Sequence, residues 1–176
     1  MYYDDEDEGP TPETSHPRFR ELANEDFFYD SSDDFSPFGN DDGADTLSAL
    51  EDWLREGGDD LRRFVAELDD SWDLPRPKNL ERASNEALSA WLGRDTMNDR
   101  YLASHANVRV AVAFGQLKIT GAIDPQVADT GLRALGWKRL LNARARIENP
   151  DWPHADEESN RIETMTAVLR AASGLR

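Results

Sequence analysis

Asp41-Asp42-Gly43-Ala44-Asp45 sets carboxylates one helical turn apart, a spacing that can hold magnesium ions against a diphosphate. That chemistry needs a deep helical cavity and a second acidic face, and no second acidic box on a long apolar helix follows. Capping of a helix start by Asp41 or Asp42 accounts for the same residues. An EF-hand is not indicated, because no Glu stands at the twelfth loop position. The histidines, His16, His105 and His154, are too scattered for paired ring ligands of zinc. His105 falls on the apolar side of a helical pattern, where a hydrogen-bonded, partly buried imidazole is expected, and no serine at a suggestive spacing awaits activation. In Asp151-Trp152-Pro153-His154-Ala155-Asp156, two carboxylates flank an imidazole, but a proline-bounded helix entry anchored by Trp152 explains that loop. No catalytic residue, metal ligand or cofactor is assigned. A small metal-dependent hydrolase, the alternative reading, has only Asp41, Asp42, Asp45, His105, Asp151, His154 and Asp156 to draw on.

Charge is the stronger signal. Residues 1–74 hold 24 Asp and Glu against five Arg, whereas residues 75–176 hold 12 against 15 Lys and Arg, so the formal net charge of −16 conceals a dipolar chain. Such asymmetry bears on steering and partners rather than on a reaction. Arg133, Lys138, Arg139, Arg144 and Arg146 lie in a stretch with no acid from Thr130 to Ile147. Phosphate binding there is opposed by the overall charge, so pairing with the chain's own acidic tail, or a solvated face, is the expectation.

The elements that must position these groups are helical. Residues 1–36 form an acidic, aromatic-containing extension, expected to be largely disordered, ahead of a helical domain over 37–176. The extension joins Asp4-Asp5-Glu6-Asp7-Glu8 to Pro10, Pro12 and Pro17, a composition poor in burial. Its Tyr2, Tyr3, Phe19, Phe27, Phe28, Tyr29, Phe35 and Phe38 leave two readings open: aromatics that fold against a partner, or aromatics that staple the tail to its own domain.

Beyond residue 40, Leu47, Leu50 and Leu54 predict one helix, ended by Gly57-Gly58. Leu61, Phe64, Val65 and Leu68 predict a second after Asp59 or Asp60, and Leu80, Ser84, Ala87, Leu88 and Trp91 a third from Asn79 to Gly93. Over 99–121, alternating Val108, Val110, Val112 and Phe114 allow a hairpin turning at Gly115-Gln116. Tyr101, His105, Val108, Val112 and Ile119 trace a helical face instead, and the helix is preferred. Asp124-Pro125 opens a helix to Asn149, and a last helix runs from Asp156 to Gly174. The expected fold is all-α, a compact bundle of about six short helices. There is no cysteine and no apolar run of membrane-spanning length, and the opening residues lack the pattern of a signal peptide, so a cytoplasmic chain is expected.

Pro37-Phe38-Gly39-Asn40-Asp41-Asp42-Gly43-Ala44-Asp45 resembles the opening of a small bacterial family catalogued as domain of unknown function 4259. In that family a Phe, an Asn-Asp pair and an Ala-Asp lead into an amphipathic helix. The segments Asp59 to Asp70, Leu80 to Leu92 and Ile147 to Trp152 are similar in order, so about half the chain takes part. The resemblance implies an α-helical domain and no chemistry, and the acidic extension before the motif departs from it.

The functional expectation is a non-enzymatic acidic interaction protein, monomer or homodimer, that binds a basic surface of a protein partner without contacting nucleic acid or membrane, as inhibitors that mimic nucleic acid do. The residues expected to carry it are Asp4, Asp5, Glu6, Asp7, Glu8, Phe27, Phe28 and Tyr29 in the extension, and Asp59, Asp60, Glu67, Asp69 and Asp70 on the second helix.

Overall fold

Asn40 accepts a hydrogen bond from the Gly43 N–H and starts α2, Asp41–Arg55; Asp41 and Asp42 occupy its first turn, so the cap is Asn40 rather than either aspartate. The computed structural model describes residues 1–4 and 9–174. These form seven α-helices and two short 3-10 turns, with no strand among the described residues. The other helices are α1, Pro17–Leu22; α3, Leu61–Trp72; α4, Asn85–Leu92; α5, Asn98–Thr120; α6, Pro125–Glu148; and α7, Ala155–Ser173. Among the described residues no helix is long and apolar enough to cross a membrane.

The axis of the fold is α5, against which α2, α6, α3, α1, α4 and α7 all pack. The stretch open to a hairpin reading is thus helix. The preferred reading holds, and the hairpin alternative arose because the helix is buried on nearly every side: Val108, Val110, Ala111, Val112, Ala113, Phe114, Leu117 and Ile119 are all in the core. Gly115 lets α2 approach closely, since a Cβ there would stand 2.7 Å from Leu50 Cδ2. Gly121 ends α5 at φ 72°, and a Cβ on it would strike the His16 ring at 2.2 Å.

The extension differs most from expectation. Over its described part it is folded onto the bundle, because its aromatics bury there. Phe19, Phe27 and Phe28 belong to the same hydrophobic cluster as Leu47, Leu50 and Phe114, and the Phe28 and Phe114 ring centroids lie 5.5 Å apart. Composition announces no helix in this segment, yet α1 starts at Pro17 with the His16 ring accepting from the Arg18 N–H. The segment also closes the end of α5: Tyr2 N–H donates to Ile119 O, His16 N–H to Lys118 O, and Arg18 to Gly121 O and to Ala172 O of α7. These satisfy carbonyls that a helix end leaves without partners.

The third expected helix is divided. Leu80–Arg82 is a 3-10 turn, and Ser84, placed on the apolar side by the sequence reading, instead accepts from Ala87 N–H as the cap of α4.

Candidate functional site

Asp69 on α3 and Arg109 on α5, each side chain 4% exposed, form a two-pronged pair, Nη2–Oδ2 at 2.8 Å and Nη1–Oδ1 at 3.3 Å. His105, one turn before Arg109 and fully buried, sets Nδ1 3.2 Å from Asp69 Oδ1 and Nε2 3.2 Å from Pro75 O. Arg76 donates to Asp69 Oδ2 at 2.7 Å, and Arg109 Nε to Glu81 Oε1 at 2.5 Å. Trp137 of α6 packs against the Arg109 guanidinium, 5.6 Å from its ring centroid. The segment between α3 and α4 supplies Arg76 and Glu81, and Asp73 and Asn79 within it adopt left-handed conformations that Asp and Asn tolerate.

Burial alone would raise the Asp69 carboxyl. The hydrogen bonds from His105 and Arg109, with the Arg109 charge, outweigh it and hold the group well below the usual carboxylate range. With four donors on its two oxygens, Asp69 has no lone pair left for a substrate proton. It anchors cations and is not placed to act as a base.

Beside this network a cavity of about 280 Å³ opens between α3, α5 and α6, with apolar walls from Leu61, Val65, Ala66, Val112 and Val127. Arg76, Glu81 and Arg109 separate it from a second depression of about 390 Å³ lined by Pro77, Asn79, Leu80 and Arg82.

Two further ionic groups are buried. Lys118, 0% exposed, lies 2.8 Å from Asp4 and 3.5 Å from Glu51, and donates to Thr14 O. Burial pushes the Glu51 carboxyl up, a shift only partly offset by the Asp4 N–H and by Lys118 and Arg55. Lys138, facing the core from α6, is pushed down by burial against the opposing charges of Glu158 and Asp42.

The structure distributes the expected site residues unevenly. Asp5, Glu6, Asp7 and Glu8 lie outside the described residues. Asp4 is engaged with Lys118, and Phe27 and Phe28 are core, so none of the three is a free contact. Tyr29 is half-buried with its ring edge-on to Phe19. On α3, Asp69 is consumed internally, Glu67 pairs with Arg63, and Asp70 meets Arg76 at 3.4 Å. Asp60 caps α3, and Asp59 is exposed without a partner among the described residues.

The residues of the hydrolase alternative are not brought together. Asp42 accepts from Asn107, His105 faces Asp69, His154 pairs with Glu157, and Asp156 with Arg146. The basic stretch on α6 pairs with acids outside the tail: Arg133 with Asp129, Arg144 with Asp99 and Glu148, and Arg146 with Asp156. The expected intramolecular pairing is thus present, with partners on α5, α6 and α7 rather than in the described part of the tail. Missed altogether were Arg109, Lys118 and Glu51. The signal for Arg109 and Lys118 was a lone charge inside a run of core residues; Glu51, beside the exposed Asp52, carried no such signal.

No protein-family model matches the chain, and no solved structure matches it. The chain is similar to the uncharacterized protein YfeS of Escherichia coli (strain K12), 34% identical over 140 residues that make up 79% of this chain and 56% of YfeS. It thus spans little more than half the length of that relative.

Proposed function

We propose that the chain is a non-enzymatic acidic module that binds a basic surface of a protein partner through the solvent side of α2 and the turn into α3. The observation that carries this is a continuous row of exposed acids, four of them without a side-chain partner. Asp41, Asp45, Asp52 and Glu56 follow one another at helical spacing along the exposed side of α2, and Asp59 and Asp60 continue past the turn. Like charges four residues apart repel, and Glu56 sits at the end of α2 where the helix dipole is itself negative. Asp41, Asp45, Glu56 and Asp59 have no side-chain partner among the described residues. The 15 residues of α2 extend for about 22 Å, so the row is long and rigid enough to steer a basic partner in the manner of a nucleic-acid mimic. A rigid row is favoured over a tail that folds on binding, because the tail's aromatics and Asp4 are already engaged. The kinship with domain of unknown function 4259 is part of this proposal; its motif, residues 37–45, forms the entry to the same helix.

The test is the affinity of a labelled arginine-rich peptide. Replacing Asp41, Asp45, Glu56 and Asp59 by their amides should weaken binding about tenfold or more, and should flatten its salt dependence. The control removes equal charge elsewhere, at Glu21, Asp26, Asp151 and Glu163. Equal losses in both variants would reduce the row to general acidity and defeat the reading.

A further inference from the structure

We propose that the cavity beside Arg109 binds a small organic anion, a carboxylate carried on a short apolar body. This site is separate from the acidic row and does not depend on it.

The walls and the polar end specify different parts of the ligand. Leu61, Val65, Ala66, Val112 and Val127 offer no polar side-chain atom, so the body they take is apolar. A volume of about 280 Å³ lies at the small end for ligand pockets, which limits that body to a short chain or a single ring.

The sign of the head group follows from which hydrogen-bonding capacity is left over. Asp69 is saturated by four donors, and Glu81 is tied to Arg109 through one oxygen. Arg109 is nearly spent as well, with four of its five N–H groups given to Asp69, Glu81 and His105 O, so the free donors lie on the other arginines. Arg76 uses one N–H on each terminal nitrogen, toward Asp69 and Asp70, of the five that a guanidinium carries. Arg62, on the cavity wall, and Arg82, in the adjoining depression, have no side-chain partner among the described residues. Three guanidiniums, at 62, 76 and 109, thus line the cavity against the two carboxylates at 69 and 81, with Arg82 in the adjoining depression, in a chain whose net charge is −16. The surplus is in donors and in positive charge. A carboxylate meets both, and guanidinium planes grip it two-pronged. An ammonium would find Glu81 as the one carboxylate lining the cavity with an uncommitted oxygen, beside a cationic surplus.

The experiment is isothermal titration calorimetry of the full chain with octanoate, with octylammonium, which has the same tail and an opposite head, and with acetate and inorganic phosphate, which lack the tail. Octanoate is expected to bind saturably, with octylammonium, acetate and phosphate each at least about tenfold weaker. Ala66→Trp fills the cavity from its exposed rim without touching the ionic network, and should cost octanoate about tenfold or more while far-UV circular dichroism is unchanged. Arg62→Gln with Arg76→Gln should do the same from the head-group side. The amide variant at 41, 45, 56 and 59 should bind octanoate normally, which separates this site from the acidic row. Octylammonium binding as tightly as octanoate, no saturation by about 10 mM octanoate, or full affinity in Ala66→Trp would each overturn the proposal.

Discussion

Asp69 and Arg109 are the residues on which the bundle makes its most exposed commitment, since a buried charge that loses its partner is far costlier than the pair is favourable. Asp69→Asn leaves Arg109 with Glu81 as its one carboxylate, and urea unfolding should show a loss of about 3 kcal/mol. Asp70→Asn, one position along on the solvent side, should cost no more than about 0.5 kcal/mol. The pH dependence has a definite sign. Asp69 has a lower pKa folded than unfolded, so its contribution is complete above the unfolded carboxylate value of about 3.9 and is lost as pH falls below it toward the folded value. Glu51 runs the other way: its folded pKa is raised, so its contribution is lost as pH rises through that value. Asp69→Asn should therefore flatten the acid limb of the stability profile below about pH 4 and leave the limb above it in place. An unchanged acid limb would mean that other carboxylates set it. The pair was legible in principle. Asp69 continues the stripe of Leu61, Val65 and Leu68, and Arg109 stands one turn beyond His105 amid valines and alanines. Read separately, Asp69 passed for a surface acid, and Arg109 drew no role. Only the crossing of α3 over α5 joins them.

At the scale of elements, the helices announced by local chemistry are where the sequence puts them: Asp124-Pro125 opens α6, Gly121 and Gly174 close α5 and α7 in the left-handed conformation, and Asp60 caps α3. Two features were hidden. A helix buried all round has little polar face to mark its period, so a hairpin competed with the preferred and correct helical reading of α5. The extension reads as disordered by composition, but composition averages over Phe19, Phe27 and Phe28, and three buried rings offset the ordering of a polar segment that also supplies partners for Ile119 O and Lys118 O. The same logic gives the outcome of a truncation. Deleting residues 1–36 removes these rings and uncovers Lys118, so the remaining chain should lose cooperative thermal unfolding. Phe28→Ala alone should destabilise by about 3–5 kcal/mol, measured by chemical denaturation. A truncated chain that unfolds as sharply as the full one would return the segment to the status of a dispensable tail.

Across the whole molecule, the acidic first half serves two ends that oppose each other. Part of it stitches the chain: Asp4 and Glu51 hold Lys118, Asp69 holds Arg109, and Asp33 meets Arg161 at 3.1 Å. Another part, Asp41, Asp45, Glu56 and Asp59, stands unpaired on α2 and the turn after it, where it repels itself and destabilises the compact state. Ionic strength separates the two populations, because exposed charges are screened as the Debye length falls from about 30 Å at 0.01 M salt to about 8 Å at 0.15 M, whereas the buried pairs are screened much less. The melting temperature should therefore rise with salt over that range. Replacing Asp41, Asp45, Glu56 and Asp59 by amides should reproduce part of the rise without salt, by about 2–4 °C if the relief is about 1 kcal/mol, and should reduce the response to added salt. A gain in stability accompanied by a loss of peptide binding is the trade-off expected of residues kept for contact rather than for folding. A fall in melting temperature at low salt would instead make those four carboxylates structural, and would remove the main support for an acidic docking face.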